Sequence, residues 1–302
     1  MKLIKPSYEI LEQPSGLEGI YKHIEYAGRT CYRSHDKITE DSAKAFVDRM
    51  IKSGHGAMLE HGTVYLDIPW NATEEAFSLQ LKLRINKYDS NKYSRVVDTE
   101  EHHSYITTNL RVLVENGWLD DLQYICEPTE HHIKRVSVRF ICDRGVSHEF
   151  VRHRVMSFAQ ESTRYCNYSK NKFSNEITYI CPCWLNYDKV QELTEIANRD
   201  NKEVYKMGHD ESLSMEERGI CSFVYDMSNH EHGYLFQISA GWTAQQARAV
   251  LPNSLKTELV MTGFIEDWKH FFFLRDAAPA HPQARELAEP LHKEFIERGL
   301  IK

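Results

Sequence analysis

No stretch of the 302 residues approaches the ~20 apolar residues that a membrane-spanning helix needs. The N-terminus, MKLIKPSYEILEQ, lacks both a continuous apolar run and a small-residue cleavage pattern, so no secretory leader is expected and the chain reads as soluble and cytoplasmic. Excess positive charge is missing as well. A net charge of −7 argues against a broad nucleic-acid-binding face, while leaving room for a local cationic pocket for a phosphorylated small molecule. Low-complexity linkers and internal repeats are absent, so nothing marks a domain cut and a single domain over residues 1–302 is expected. The seven cysteines lack regular spacing, and their odd number points to free thiols in a reducing compartment.

What is present is the material of an ordinary globular core, with 41% hydrophobic and 27% charged residues. The segment TEDSAKAFVDRMIKSGHG reads as a helix. Thr39 is placed to cap it, acids fill its first turn, Ala43, Phe46, Val47, Met50 and Ile51 share a face, and Gly54 can end it. TVYLDIP alternates Val64, Leu66 and Ile68 against Tyr65 and Asp67, as a half-buried strand does. RVSVRFIC (135–142) and the alternating SLKTELVMT are further strands, and GVSHEFVRHR (145–154) is a short helix. LTEIANRDNKEVYKM and ICSFVYDMSNHEHGYLFQIS read as two long helices closed by Gly241. Thr243 and Gln246 form a T-x-x-Q capping box, Pro252 closes the helix it opens, EDWKHFFFLR is helical, and the helix after Pro282 is expected to kink at Pro290. Helices and strands mix without a βαβ rhythm, which favours an α+β fold.

The chemistry concentrates in VRHRVMSFAQESTRY (151–165), where Arg152, His153 and Arg154 stand side by side and Ser162, Thr163 and Arg164 follow. Alone, a basic triplet at a helix end complements the dipole and is most often solvated surface. Here Val151, Val155, Met156 and Phe158 interleave with the cations, which sets the charges against buried structure. Buried cations need anionic partners, and Ser, Thr and Arg are the types that donate to phosphate oxygens.

The run R-H-R-x7-S-x-R resembles the signature of the flavin-dependent thymidylate synthases. The resemblance extends in the family's order through AGRTCYRS (27–34), HGAMLEHGTVYLDI (55–68), ARAVLP (247–252) and DWKHFFFLR (267–275), and is less distinct over 98–130 and 185–235. It implies an α+β domain in a homotetramer with shared active sites, and reductive methylation of deoxyuridine monophosphate (dUMP) to thymidylate. Methylenetetrahydrofolate would supply the carbon, NADPH the electrons and FAD the relay. By the family's motif, Arg152, His153 and Arg154 lie at the flavin, with His55, Gln160 and His270 as further flavin-side positions. Arg152 also reaches the nucleotide, together with Glu149, Ser162, Thr163, Arg164 and Arg248. The resemblance further implies that Arg275 contacts the uracil ring and favours its ionisation at nitrogen 3, which would activate carbon 5.

Some positions depart from the pattern. Glu149 stands where many relatives have glutamine, and a carboxylate there repels phosphate unless an arginine pairs with it. Gln160 replaces an acid seen in some members, Ala57 stands where a hydroxyl residue is common, and Cys31 where serine is. Cys166 has no adjacent base to lower its pKa, so no thiol nucleophile is expected. Two other readings compete. A metal hydrolase would use SHEFVRH, but His148 and His153 are five apart where a helix needs four, CPC (181–183) has no second pair, and no metal is expected. A nucleotide- or RNA-binding module would use aromatic runs such as HFFFLR, against the net acidity.

Overall fold

The alternating segment beginning at Ser254 forms the most deeply buried strand of the protein. The structure is a computed structural model and describes residues 1–69 and 75–302. Its strands are β1 (Lys2–Ile4), β2 (Ser7–Leu11), β3 (Thr63–Pro69), β4 (Arg95–Asp98), β5 (His103–Asn109), β6 (Arg135–Asp143), β7 (Ser157–Gln160), β8 (Thr178–Ile180) and β9 (Lys256–Phe264). The first helices are α1 (Gly16–Tyr32), α2 (Ser42–Lys52), α3 (Gly56–Leu59), α4 (Glu75–Asp89), α5 (Leu110–Asn116) and α6 (Arg144–Phe150). They are followed by α7 (Tyr187–Gly208), α8 (Met215–Ser239), α9 (Ala244–Ala247), α10 (Ile265–Arg275) and α11 (Pro282–Glu297).

The central antiparallel sheet has the order β2-β6-β9-β7, a second antiparallel sheet has the order β3-β5-β4, and β1 pairs parallel with β8. This is the α+β architecture expected. Every residue of β9 is buried, so its alternation separates two covered faces rather than core from water. One covering layer holds Phe140, Phe150, Trp268, Phe271, Leu287 and Phe295, where α6, α10 and α11 meet the central sheet. A second core joins α7 and α8 to β1 and β8, and a third joins α1, α2 and α5 to the β3-β5-β4 sheet.

Local chemistry explains most element ends. Asp143 caps α6 by accepting from the Val146 N–H at 2.7 Å, while its other oxygen accepts from Gln283 at 2.7 Å. Ser214 and Glu217 close a reciprocal capping box on α8. Gly54, with φ of +69°, ends the turn after α2 in the left-handed region that glycine adopts freely. Four sequence expectations are corrected. Thr39 does not cap α2: the helix begins at Ser42, no acid lies in its first turn, and the Ser42 hydroxyl accepts from the Thr39 N–H instead. Ile51 leaves the apolar face and is exposed. The helix expected from Leu193 starts earlier, at Tyr187, and is interrupted at Asp200, whose φ of −147° is not helical. The helix opened by Thr243 is short, with α9 passing into a 3₁₀ turn at Arg248–Val250. Pro290 lies inside α11, which ends at Glu297.

Candidate active site

With α6 capped by Asp143 and ended at Phe150, short of the Arg154 end expected from the sequence, the basic triplet falls beyond the helix in a tight turn leading into β7. The turn is fixed by backbone bonds from His153 N–H to the Phe150 carbonyl (3.2 Å) and from Arg154 N–H to the Arg152 carbonyl (2.9 Å). Its geometry splits the triplet. Arg152 and Arg154 face solvent, while His153 turns inward and its ring lies 5.1 Å from that of Phe271. The apolar interleaving is weaker than expected: Met156 is buried, but Val155 is 66% exposed.

His153 meets Arg275, the last residue of α10. The Arg275 Nε–H donates to His153 Nε2 at 3.2 Å, its Nη1 to the Glu149 carboxylate at 2.6 Å, and its Nη2 to the Glu149 carbonyl at 2.8 Å. Glu149 is therefore paired with an arginine, the one condition under which its carboxylate is tolerable beside an anion. Burial, then the Arg275 charge, then His270 push the His153 pKa down to about 4. The ring is neutral near pH 7 and carries its proton on Nδ1, since Nε2 accepts. The triplet is thus not the three-cation cluster its composition suggested, because only its two arginines are charged. His270 is exposed, and its ring stands edge-on to His153 at 5.9 Å. Glu149 also lines a cleft of about 700 Å³ with Trp184, Asn253 and His281.

The second half of the signature lies beyond β7. Gln160 donates to Ser147 at 2.8 Å and to Thr257 at 3.3 Å, tying β7 to α6 and β9. The Ser162 N–H is held by the Cys31 carbonyl at 3.0 Å. Thr163 is buried and accepts a long 3.4 Å bond from Arg248, which is otherwise exposed. The Arg164 guanidinium lies over the Tyr165 ring, 4.5 Å from its centroid, and bonds its hydroxyl. Beneath this loop sits an ion network that sequence reasoning missed. Lys256 contacts Glu161 at 2.9 Å and Glu258 at 2.7 Å, Arg139 reaches Glu258 at 3.1 Å, and Arg33 also pairs with Glu258. Both acids are 2% exposed, and such burial is tolerable only with this degree of pairing. The available signal was the two-residue spacing of Lys256 and Glu258, which puts both on one face of a strand with no other charged residue.

His55 stands apart from His153. It lines a cleft of about 800 Å³ with Arg29, Tyr32, Lys37, Arg49, Lys52 and Lys172. Arg154 lines a smaller cleft, of about 160 Å³, with Arg95 and Arg135. Cys166 is 0% exposed, and burial raises its pKa to about 12, with the Glu161 charge adding to the effect. All seven cysteines are free. Among the described residues, no three His, Cys, Asp or Glu side chains are grouped to hold a metal ion, and no helix is long and apolar enough to cross a membrane.

The sequence pattern of the family described as thymidylate synthase complementing protein matches residues 126–298. A flavin-dependent thymidylate synthase of Corynebacterium aurimucosum is 24% identical over 296 residues, covering 97% of this chain and 82% of that protein. One from Pyrococcus furiosus is 27% identical over 161 residues, covering 53% of this chain and 54% of the other. One from Corynebacterium efficiens is 32% identical over 161 residues, or 53% and 56% of the two chains. Among solved structures, the UMP/dUMP methylase PolB from Streptomyces cacaoi, bound with 5-Br dUMP, gives a TM-score of 0.39 at 15% identity over 98% of this chain and 93% of that one.

Proposed function

Since the chain belongs to the thymidylate synthase complementing protein family, we propose that it methylates dUMP reductively to thymidylate, taking the carbon from methylenetetrahydrofolate and the electrons from NADPH through FAD. The observation that carries this reading is the meeting of Glu149, His153 and Arg275, brought together across 126 and 122 positions of sequence. A guanidinium has five N–H groups. Three of those of Arg275 are engaged in this cluster, one on each nitrogen, which fixes its plane and leaves two to donate to a substrate. A rigid planar donor of this kind suits the oxygen and ionised nitrogen edge of a uracil, where negative charge develops as carbon 5 becomes nucleophilic.

The residues at the turn fit a flavin dinucleotide. Arg152 and Arg154 are exposed, and among the described residues neither has a carboxylate partner, so both are free to meet a pyrophosphate or an anionic ring. Bound FAD supplies the hydride, and the chain's own residues bind, orient and polarise. His153 stays neutral and holds the Arg275 plane. Arg152 serves flavin and nucleotide together. Ser162, Thr163, Arg164 and Arg248 take the nucleotide's phosphate end, and His55, Gln160 and His270 belong to the flavin side, Gln160 by holding β7 in place. His55 and Glu149 line different clefts of one copy, which supports a site shared between copies of one catalytic domain in a cytoplasmic homotetramer. The test is direct. Purified protein reconstituted with FAD is expected to form thymidylate from dUMP, methylenetetrahydrofolate and NADPH. Flavin reduction by NADPH with no thymidylate formed overturns the reading.

A further inference from the structure

We propose that the basic cleft beside α2 holds the carboxylate tail of the folate co-substrate, and that the protein therefore prefers polyglutamylated to monoglutamylated methylenetetrahydrofolate. The inference rests on the reading above for the identity of the co-substrate. The cleft itself is an anomaly on a chain of net charge −7. Its lining contains Arg29, Lys37, Arg49, Lys52, His55 and Lys172, and no Asp or Glu. Arg29 is already paired with Glu25 at 2.8 Å. Lys37, Arg49, Lys52 and Lys172 are exposed, and among the described residues none has a carboxylate partner. Arg49 rests on the Phe46 ring, and Lys172 donates to the Tyr32 carbonyl at 3.1 Å.

Complementing a helix dipole accounts for Arg49 and Lys52, which lie in the last turn of α2. It does not account for Lys37 and Lys172, which converge from two separate 3₁₀ turns. Like charges gathered from three segments repel, and an anionic occupant relieves that cost. The arrangement also bears on which anion. A compact phosphate is best held by backbone N–H groups at a helix N-terminus, whereas α2 presents its C-terminal carbonyls here. Lysine and arginine tips spread along a cleft of about 800 Å³ suit a chain of separated carboxylates better. At the cleft wall, Tyr32 and Tyr165 stand with ring centroids 5.2 Å apart, exposed by 38% and 55%. Tilted 46° to each other, they offer aromatic faces against which the ring that precedes such a tail can pack. Tyr165 directly follows Arg164 and is bonded to it, so the cleft adjoins the nucleotide end of the signature.

The experiment compares mono- and pentaglutamyl methylenetetrahydrofolate as co-substrates for the FAD-loaded wild type and for the Lys37→Gln/Lys52→Gln variant. Several exposed ion pairs acting together are expected to lower the wild-type KM for the pentaglutamate roughly tenfold at low salt, an advantage that fades at high ionic strength. In the variant the preference should shrink to within about twofold, with monoglutamate KM, kcat and FAD content unchanged. Equal KM values in the wild type, or a preference that survives both substitutions, overturn the proposal. Calorimetric titration of p-aminobenzoyl-pentaglutamate and of inorganic pyrophosphate separates this outcome from failure of the functional reading, because neither needs turnover. Pentaglutamate binding lost in the variant supports the tail site even if no thymidylate forms. Pyrophosphate binding in its place, or no binding of either, overturns it.

Discussion

The Glu149–His153–Arg275 cluster and the basic cleft by α2 use the same residue types in opposite ways. In the cluster every charge is answered: Arg275 has a carboxylate at 2.6 Å, a carbonyl at 2.8 Å and a neutral imidazole at 3.2 Å. In the cleft, Lys37, Arg49, Lys52 and Lys172 stand exposed with no acid in the lining. A group that must meet a developing charge in one orientation is best held by its neighbours beforehand, because orientation is costly to acquire during the reaction. A surface that recruits a flexible anion needs only net charge, and its side chains can remain mobile. The cluster is where geometry should matter, and the cleft is where charge alone should.

Substitution at Arg275 breaks the comparison most sharply. Arg275→Ala removes one fixed donor and leaves the Glu149 carboxylate without its arginine partner. Thymidylate formation is expected to fall roughly 10²–10³-fold, or ~2.7–4 kcal/mol. Arg275→Lys keeps the charge but loses the planar fork, so its rate should lie between the two. Anaerobic reduction of the flavin by NADPH should survive both changes better than methyl transfer does. A near wild-type rate for the alanine variant at saturating dUMP reduces Arg275 to a helix-end arginine.

The next effect is one of pH. Burial holds His153 and His23 at a pKa of about 4 and His61 at about 3, against an ordinary value of 6.5. His23 and His61 are joined through Ser137 and Thr262 by bonds of 2.8, 2.6 and 2.8 Å, all buried. Each ring is neutral when folded, whereas the unfolded chain takes up protons as pH falls below 6.5. Stability is therefore fully present above about pH 6.5 and is lost as pH falls towards 4. Between pH 7 and 5 the loss approaches about 2 kcal/mol per ring. Urea unfolding at the two values measures it, and His153→Gln should lose less on acidification than the wild type does. An unchanged difference between the two pH values would show that His153 titrates normally.

What was legible in the sequence and what was not follows from this geometry. Arg152 to Arg164 could be read because the signature is contiguous, and the α+β mixture because patterns of period 2 and 3.6 are local. The conditional pairing of Glu149 was legible only as a condition, since Arg275 lies 126 positions away. The neutrality of His153 was not legible at all, because it depends on burial against Phe271 and on the Arg275 charge. The cleft by α2 escaped for the same reason, its cations coming from three segments that no motif joins. Thr39 was misread as a cap because a hydroxyl before an apolar period is a common signal, whereas the helix starts three residues later at Ser42, whose hydroxyl accepts from the Thr39 N–H.

Glu149 sharpens the comparison with a smaller effect. Glu149→Gln keeps the backbone carbonyl bond to Arg275 and removes the counter-charge, which leaves the arginine freer to attract an anion. The KM for dUMP is expected to fall several-fold, roughly 1 kcal/mol, with less change in kcat. Steady-state kinetics at fixed folate will read this. A higher KM would mean that the ion pair is needed to aim Arg275, and that geometry outweighs charge even for binding.

The smallest effect expected on turnover is at Cys166, three residues past the buried Thr163 and two past Arg164. A thiol nucleophile needs an accessible thiolate, favoured by nearby positive charge or a base. Cys166 is 0% exposed, its sulfur lies 3.9 Å from the Cys31 carbonyl, and burial with the Glu161 charge raises its pKa to about 12. Arg33, Lys172 and Lys256 pull the other way but do not prevail. At pH 7 the thiolate fraction is then on the order of one in 10⁵. Cys166→Ala should therefore keep kcat within about twofold, while the small void it leaves lowers stability by ~1 kcal/mol. The pH profile of turnover should be unchanged by the substitution. A variant that folds, binds FAD and yet forms no thymidylate would place Cys166 in the chemistry, and would require the protein to lower a thiol pKa that its own packing raises.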